Sequence, residues 1–388
     1  MDAAAPNPVL CLQTRSGLTE NTFRGVVCVA RVRPDWSSEI VHSVGNVEQV
    51  FYPRSAMKFT QILPLLESGA ADHYGFTEQE IAIMCASHNA EPRHLATVRS
   101  ILQKIDLDES SLQCGSHTPG DLYSAFVYCQ EAGTVLFPFE AAILNNCSGK
   151  HAGMLALCKF LQLSLHDYLA PSHPIQVMIQ ETAADIFDMP RADMHIGVDG
   201  CCAPALAMPV RNAAIAFSRL AKPEYCPSPK RAIAIARMTA AINAHPEMVH
   251  GNYGFDTLFM SLYRGQAIAK RGAEGCELIG LKRSGLGFCV KLDSGADEPK
   301  FNVAMAFVLW AGARPTLETE AGAGVEAMAG TGTGSGADVG SESNVASPPL
   351  ELQRFFVSPI VNCQGHLVGH TTVSPGLFSS PHHSALSE

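Results

Sequence analysis

Four reactive side chains, Cys147, Ser148, Lys150 and His151, fall within five residues in the stretch NNCSGKHAGML at 145–155. On a helix, residues three apart share a face, so Cys147 lies with Lys150, and Ser148 with His151 on the neighbouring face. Ser148 looks first like a nucleophile. The Cys147 and Lys150 face suits metal ligation or a structural cysteine. A phosphate-binding loop is excluded as a strong reading: G-K is present, but the upstream glycine is missing and His151 replaces the final hydroxyl.

Four further stretches could carry chemistry. In Ser55-Ala-Met-Lys58 a hydroxyl and an amine are again three apart. Such a lysine can take the serine proton only when burial or nearby cations, such as Arg54 or a second lysine, keep it neutral. Taken alone, the pattern also describes an ordinary serine and a solvated lysine. In C-A-S-H, Ser87 and His88 precede Glu91 and His94, a spacing unlike H-E-x-x-H, so zinc on His88 and His94 is not expected. GVDGCCAP at 197–204 reads as a tight turn presenting Asp199 and Cys201. Lys270 ends an apolar stretch and enters a glycine-rich bend containing Glu274; this leaves it either exposed, which the sequence alone favours, or aimed into a cleft.

The elements that must position these residues are legible in outline. RGVVCVARV and VHSVGNVEQVFY suggest an early antiparallel hairpin or meander. Thr77 with Glu80 forms a capping box that opens a helix, and Phe76 can staple to Ile81. Leu95, Val98, Ile101, Leu102 and Ile105 mark the buried face of the next helix. Further helices are expected over 148–163, 174–187, 229–244 and 301–310. FFVSPIVNCQGHLVGHTTV reads as two strands around Gly365 that join the N-terminal sheet. Strands at both ends with helices between them indicate an α+β fold. The expected organisation is a tail at 1–16, a catalytic domain at 17–311, a disordered low-complexity insertion at 312–349, completing strands at 350–375 and a tail at 376–388.

Composition bounds the partners. The 388 residues carry 47% apolar side chains and a formal charge of −10, which supports a large core and argues against a nucleic-acid partner. No stretch is long and apolar enough for a membrane helix and no export signal is evident, so a cytoplasmic protein with free thiols among its 13 cysteines is expected.

Together R-S-A-M-K, C-A-S-H-N-A-E, NNCSGKHAGML, G-V-D-G-C, K-R-G-A-E-G and V-N-C-Q-G-H-L-V-G resemble, in order and spacing, the L-asparaginase family typified by the inducible thermolabile enzyme of Rhizobium. The resemblance implies an antiparallel sheet flanked by helices, as in serine β-lactamases and glutaminases. It also implies hydrolysis of L-asparagine to L-aspartate and ammonia. It matches Ser55 with Lys58 and Ser87 with Lys270 as two catalytic Ser-Lys pairs. Cys147, Lys150 and Cys201 are the implied zinc ligands, Arg54, His88, Asn146, Asp199 and Glu274 the implied substrate contacts, and a homodimer the implied assembly. Glutaminase or other amidase activity, zinc-activated water, and a non-catalytic amino-acid or zinc-binding protein are the alternatives. The sequence departs from the family pattern at Phe23, where a histidine is usual, at Cys202, where a glycine is usual, and in the 312–349 segment.

Overall fold

The β-branched run after Arg24 lies in one long strand whose residues 25–30 are buried without alternation, the pattern of a strand covered on both faces. In a computed structural model that describes residues 5–120, 126, 130, 141–313, 357–374 and 377, the chain opens with β1 (Val9–Arg15), β2 (Leu18–Val32), β3 (Ser38–Val44) and β4 (Val50–Phe51). A helical stretch follows: α1 (Lys58–Gln61), α2 (Leu63–Ser68), α3 (Ala70–His73), α4 (Glu78–Met84), α5 (Pro92–Lys104), α6 (Ser148–Phe160) and α7 (Pro174–Ile186). Then come β5 (His195–Val198), β6 (Pro204–Pro209), α8 (Val210–Ala221), α9 (Pro229–Ala244), α10 (Pro246–His250) and α11 (Phe255–Tyr263). The chain returns to strands in β7 (Ala267–Gly272), β8 (Cys276–Leu281) and β9 (Leu286–Leu292), continues through α12 (Glu298–Trp310), and ends its described elements with β10 (Ser358–Val361) and β11 (Leu367–Val373).

The main sheet is antiparallel and runs β10-β11-β1-β2-β9-β8-β7, with β3 also paired to β2. Helices α8 and α12 both pack against β8 and β9, whose residues are buried almost without exception. The approach of α8 is close: a Cβ on Gly287 would sit 2.1 Å from Ala214 O and 2.3 Å from Ser218 N. The architecture is α+β, an antiparallel sheet flanked by helices. A second sheet, β4-β6-β5, carries the 199–203 turn between β5 and β6.

The local signals for helices correspond to real caps and faces. Glu80 N donates to Thr77 Oγ1 at 3.3 Å, and Thr77 N donates to Glu80 Oε2 at 2.7 Å, closing the capping box. Leu95, Val98, Ile101, Leu102 and Ile105 are buried. One boundary needs correction. The residues read as a tail at 1–16 include β1, which fills the slot between β2 and β11 and buries Leu10 and Cys11 completely. Its seven residues are too short to stand out as a strand until both neighbours supply hydrogen bonds. Gly365, at φ 79°, makes the turn before β11. The segment read as an insertion lies outside the described residues, except for 312 and 313, and so does the C-terminal tail, except for residue 377.

Candidate active site

Helix α4 ends at Met84 with Cys85 as its C-cap, and the loop that follows is held by Ser87 N donating to Val249 O at 2.9 Å and His88 N to Asn146 O at 3.3 Å. This loop places the Ser87 hydroxyl between two buried amines. Lys58 Nζ at the start of α1 lies 3.2 Å from Ser87 Oγ, and Lys270 Nζ on β7 lies 3.1 Å from it. Lys58 also donates to Ala86 O and to Asn146 O. Lys270 donates to Arg271 O at 3.2 Å and to Asp256 Oδ2 at 3.4 Å. Burial pushes the Lys270 amine down to about 8, against the pull of Asp256. Thus a lysine that the sequence alone would leave in solvent is fully buried.

Beside these amines, residues from three segments meet. Arg54 occupies the left-handed region at φ 53°, an unusual conformation for a residue with a side chain. Its Nε and Nη2 lie 2.8 and 2.7 Å from Asp199 Oδ1, which also accepts from Gly200 N. Burial would raise the Asp199 carboxyl, but Lys150, Arg54 and the Gly200 amide hold it below the usual carboxylate range. Lys150 Nζ lies 3.1 Å from Cys201 Sγ. The Cys147 thiol is held well below its usual value by hydrogen bonding with Cys201, which outweighs burial, and by Lys58 and Lys150. The Cys201 thiol is pushed the other way, up, by its hydrogen bond with Cys147 and by burial. Helix α6 can bring Cys147 and Lys150 here because Gly149 lets it touch α4; a Cβ on Gly149 would lie 2.2 Å from Ile83 O.

Cys147, Lys150 and Cys201 are buried and converge as two sulfur donors and one nitrogen donor, a donor set that suits zinc only with a neutral amine, whereas without a metal Cys147, Cys201 and Asp199 outweigh burial and push the Lys150 amine up. Among the described residues no group of three or more His, Cys, Asp or Glu side chains is disposed to hold a metal ion; the third donor here is a lysine.

The remaining expected residues divide. Ser55 is half-buried in the single 3-10 turn Arg54–Met57, next to the Arg54–Asp199 pair, and the Lys58 amine is hydrogen-bonded to Ala86, Asn146 and Ser87 rather than to Ser55. Asn146 is half-buried, with its Oδ1 3.2 Å from Cys147 Sγ. His88 is occupied within the protein: Ala90 N donates to its Nδ1 at 3.1 Å, which leaves Nε2–H to donate to Ser148 Oγ at 2.8 Å. Burial pushes its imidazole well below the usual value. The substrate contact expected of His88 is thereby corrected to a structural link, and Ser148, buried at the start of α6, is its partner. Glu274 lies two residues beyond Gly272, where a Cβ would meet Pro53 O at 2.3 Å. It is exposed at φ 58° on the β7–β8 turn, with its main-chain oxygen accepting from Lys291 and its side chain beside Gly295. Phe23 packs half-buried on β2. Cys202 is exposed and sits at φ 67°, in the left-handed region that explains why glycine is usual there.

One group escaped the sequence reading. Asp256, wholly buried behind Lys270, sits in an unremarkable G-F-D-T context that carries no motif. His151, one of the four reactive side chains of the opening stretch, has Nδ1 in hydrogen-bond contact with the Tyr168 hydroxyl at 2.8 Å, while its buried Nε2 has no partner among the described residues.

Among solved structures, a β-lactamase-like protein from Bacteroides dorei DSM 17855 is 12% identical, with a TM-score of 0.37 over 71% of this chain and 86% of that one. A Bacillus glutaminase is 10% identical, with a TM-score of 0.32 over 73% and 89%. The protein Mglu is 13% identical, with a TM-score of 0.31 over 77% of this chain and only 63% of Mglu. No curated protein matches the chain. The family description L-asparaginase II matches residues 12–341, across every side chain placed around Ser87 and Cys201, and on that extent the chain belongs to the L-asparaginase II family of amidohydrolases.

Proposed function

We propose that the protein hydrolyses L-asparagine to L-aspartate and ammonia through an acyl-serine intermediate, with Ser55 as nucleophile. The observation that carries this reading is the buried Lys58–Ser87–Lys270 chain lying one turn from a reachable serine and the Arg54–Asp199 pair. A nucleophile must meet its substrate. Ser55 is half-buried, whereas Ser87 is 5% exposed and already held by both amines. With two N–H groups directed at Ala86 O and Asn146 O, the Lys58 nitrogen is the proposed base for a hydroxyl proton. Lys270 donates to Ser87 Oγ, Asp256 Oδ2 and Arg271 O, which fixes its amine beside the Ser87 hydroxyl.

In the reaction so proposed, Ser55 Oγ attacks the side-chain amide carbon as its proton passes to Lys58. The tetrahedral adduct collapses, Lys58 returns the proton to the amide nitrogen, and ammonia leaves. Water, deprotonated by Lys58, then attacks the ester and releases aspartate and Ser55. Asp199 is placed to receive the substrate ammonium and Arg54 its carboxylate. Cys147, Lys150 and Cys201 would hold zinc, which would supply a fixed positive centre for orienting the substrate. A homodimer is proposed on the resemblance alone, with light scattering as its test.

A second reading makes Ser87 the nucleophile, favoured by its contact with two lysines. Trapping the acyl-enzyme with a slow ester of aspartate and locating the modified serine by mass spectrometry separates the two: a label on Ser55 supports the first reading, a label on Ser87 the second. Parallel ammonia assays with L-asparagine and L-glutamine test the substrate, and preferential turnover of glutamine would overturn the asparagine assignment.

A further inference from the structure

The buried charges behind Lys270 have no part in the reaction as written. Asp256, in the first turn of α11, is 0% exposed. Its Oδ2 accepts from Lys270 Nζ at 3.4 Å and from Arg271 N at 3.0 Å, and faces His250 Nδ1 at 3.6 Å, while its Oδ1 has no partner among the described residues. Arg271 Nη1 donates to His250 Nε2 at 2.8 Å, which leaves the ring proton on Nδ1, turned toward Asp256. Arg271 Nη2 continues to Asp297, 47% exposed, at 3.4 Å. A line of polar contacts therefore runs from Ser87 through Lys270 to Asp256, crosses 3.6 Å to His250 Nδ1, which has no hydrogen-bond partner among the described residues, and continues through Arg271 to the surface.

Burying a carboxylate and an ammonium together stabilises a fold poorly compared with apolar side chains of the same size. One carboxylate oxygen left unpartnered makes the arrangement poorer still. The close packing around it is specific: a Cβ on Gly254 would come within 2.3 Å of the His250 ring. Buried, mutually charged groups with perturbed titration gather where chemistry needs them.

We propose that Asp256 is a positioning residue for the reaction, holding the Lys270 amine on Ser87 Oγ and itself held by Arg271 and His250. The inference rests on the reading of Ser87 and Lys270 as part of the catalytic machinery. The charged and titratable groups facing Lys270 are Lys58 on α1, Asp256 on α11, Arg271 on its own strand, Cys276 and Glu277 on β8, His250 on α10 and Cys85 after α4. Of these, Asp256 is the one that both touches the amine and favours its charged form. Removing its charge therefore lowers the Lys270 pKa further.

The test is the pH profile of kcat/KM for ammonia release from L-asparagine by the full chain. In Asp256→Asn, with folding checked by circular dichroism and thermal unfolding, the limb near pH 8 moves to lower pH by about one unit or more. In the same variant kcat falls at least about tenfold while KM stays within about twofold. Asp256→Glu keeps the charge, so its limb stays in place while kcat still falls through misplacement, and it provides the measurement if the Asn variant does not fold. A wild-type profile and kcat in a folded Asp256→Asn, or a wild-type kcat in Asp256→Glu, overturns the proposal. If Lys270→Ala is as active as the wild type, the underlying reading fails and the inference with it. If Lys270→Ala is inactive but the Asp256 variants behave as wild type, only the inference fails.

Discussion

Replacing Lys270 with methionine probes the burial of this amine directly, through stability rather than turnover. Burial takes the amine from 10.5 down to about 8 in the folded protein. At low pH it is protonated in both folded and unfolded states, and the folded state carries the full penalty for burying the charge. Between pH 8 and pH 10.5 the unfolded chain binds more protons at this site than the folded one, so stability rises with pH across that window. At 1.36 kcal/mol per pH unit the gain amounts to about 3 kcal/mol. Lys270→Met lacks this titration, and most other groups cancel in the difference between the two proteins. Urea unfolding of both, under reducing conditions from pH 7 to pH 10.5, should therefore show the wild type gaining about 3 kcal/mol on the variant. A difference that stays flat, or moves in the variant's favour as pH rises, would refute the argument that desolvation outweighs Asp256 at this lysine.

Ser55→Ala should lower kcat/KM for ammonia release by about 10³-fold or more, and near-normal turnover would leave the serine mechanism without its nucleophile. Asp199→Asn should raise KM more than it lowers kcat, because it removes a partner proposed for the substrate ammonium; steady-state kinetics with L-asparagine decides. Gly149→Ala, whose Cβ would meet Ile83 O at 2.2 Å, should lower stability by about 2 kcal/mol or more as α6 is forced off α4, read from the shift in denaturant midpoint. Cys201→Ala should abolish stoichiometric zinc measured by elemental analysis after dialysis, whereas Glu274→Ala, on the exposed β7–β8 turn, should leave KM within about twofold.

Much of the helical scaffold was legible because its determinants are local. The Thr77–Glu80 box and the apolar period from Leu95 to Ile105 specify their helices within a few residues. The start of the domain was not: Val9–Arg15 is too short and too mixed to announce a strand, and it becomes one only between β2 and β11, far away in the chain. The site divides in the same way. The pairing of Cys147 with Lys150 follows from helical spacing, whereas the hydrogen bond between His88 and Ser148, 60 positions apart, is made only by tertiary packing.

By itself the sequence determined which residue types are available and which of them share a short helical face, since spacing of three or four residues needs only local backbone geometry. It also carried the ordered motifs by which the family is recognised. Only the tertiary structure decided that Lys58 and Lys270, 212 positions apart, meet on the hydroxyl of Ser87, and that Asp256 stands behind them. Those contacts depend on β7 at the edge of the sheet facing the ends of α4 and α11, and on burial that changes the charge each group prefers. Solvent exclusion is a property of the packed whole, and no window of residues contains it.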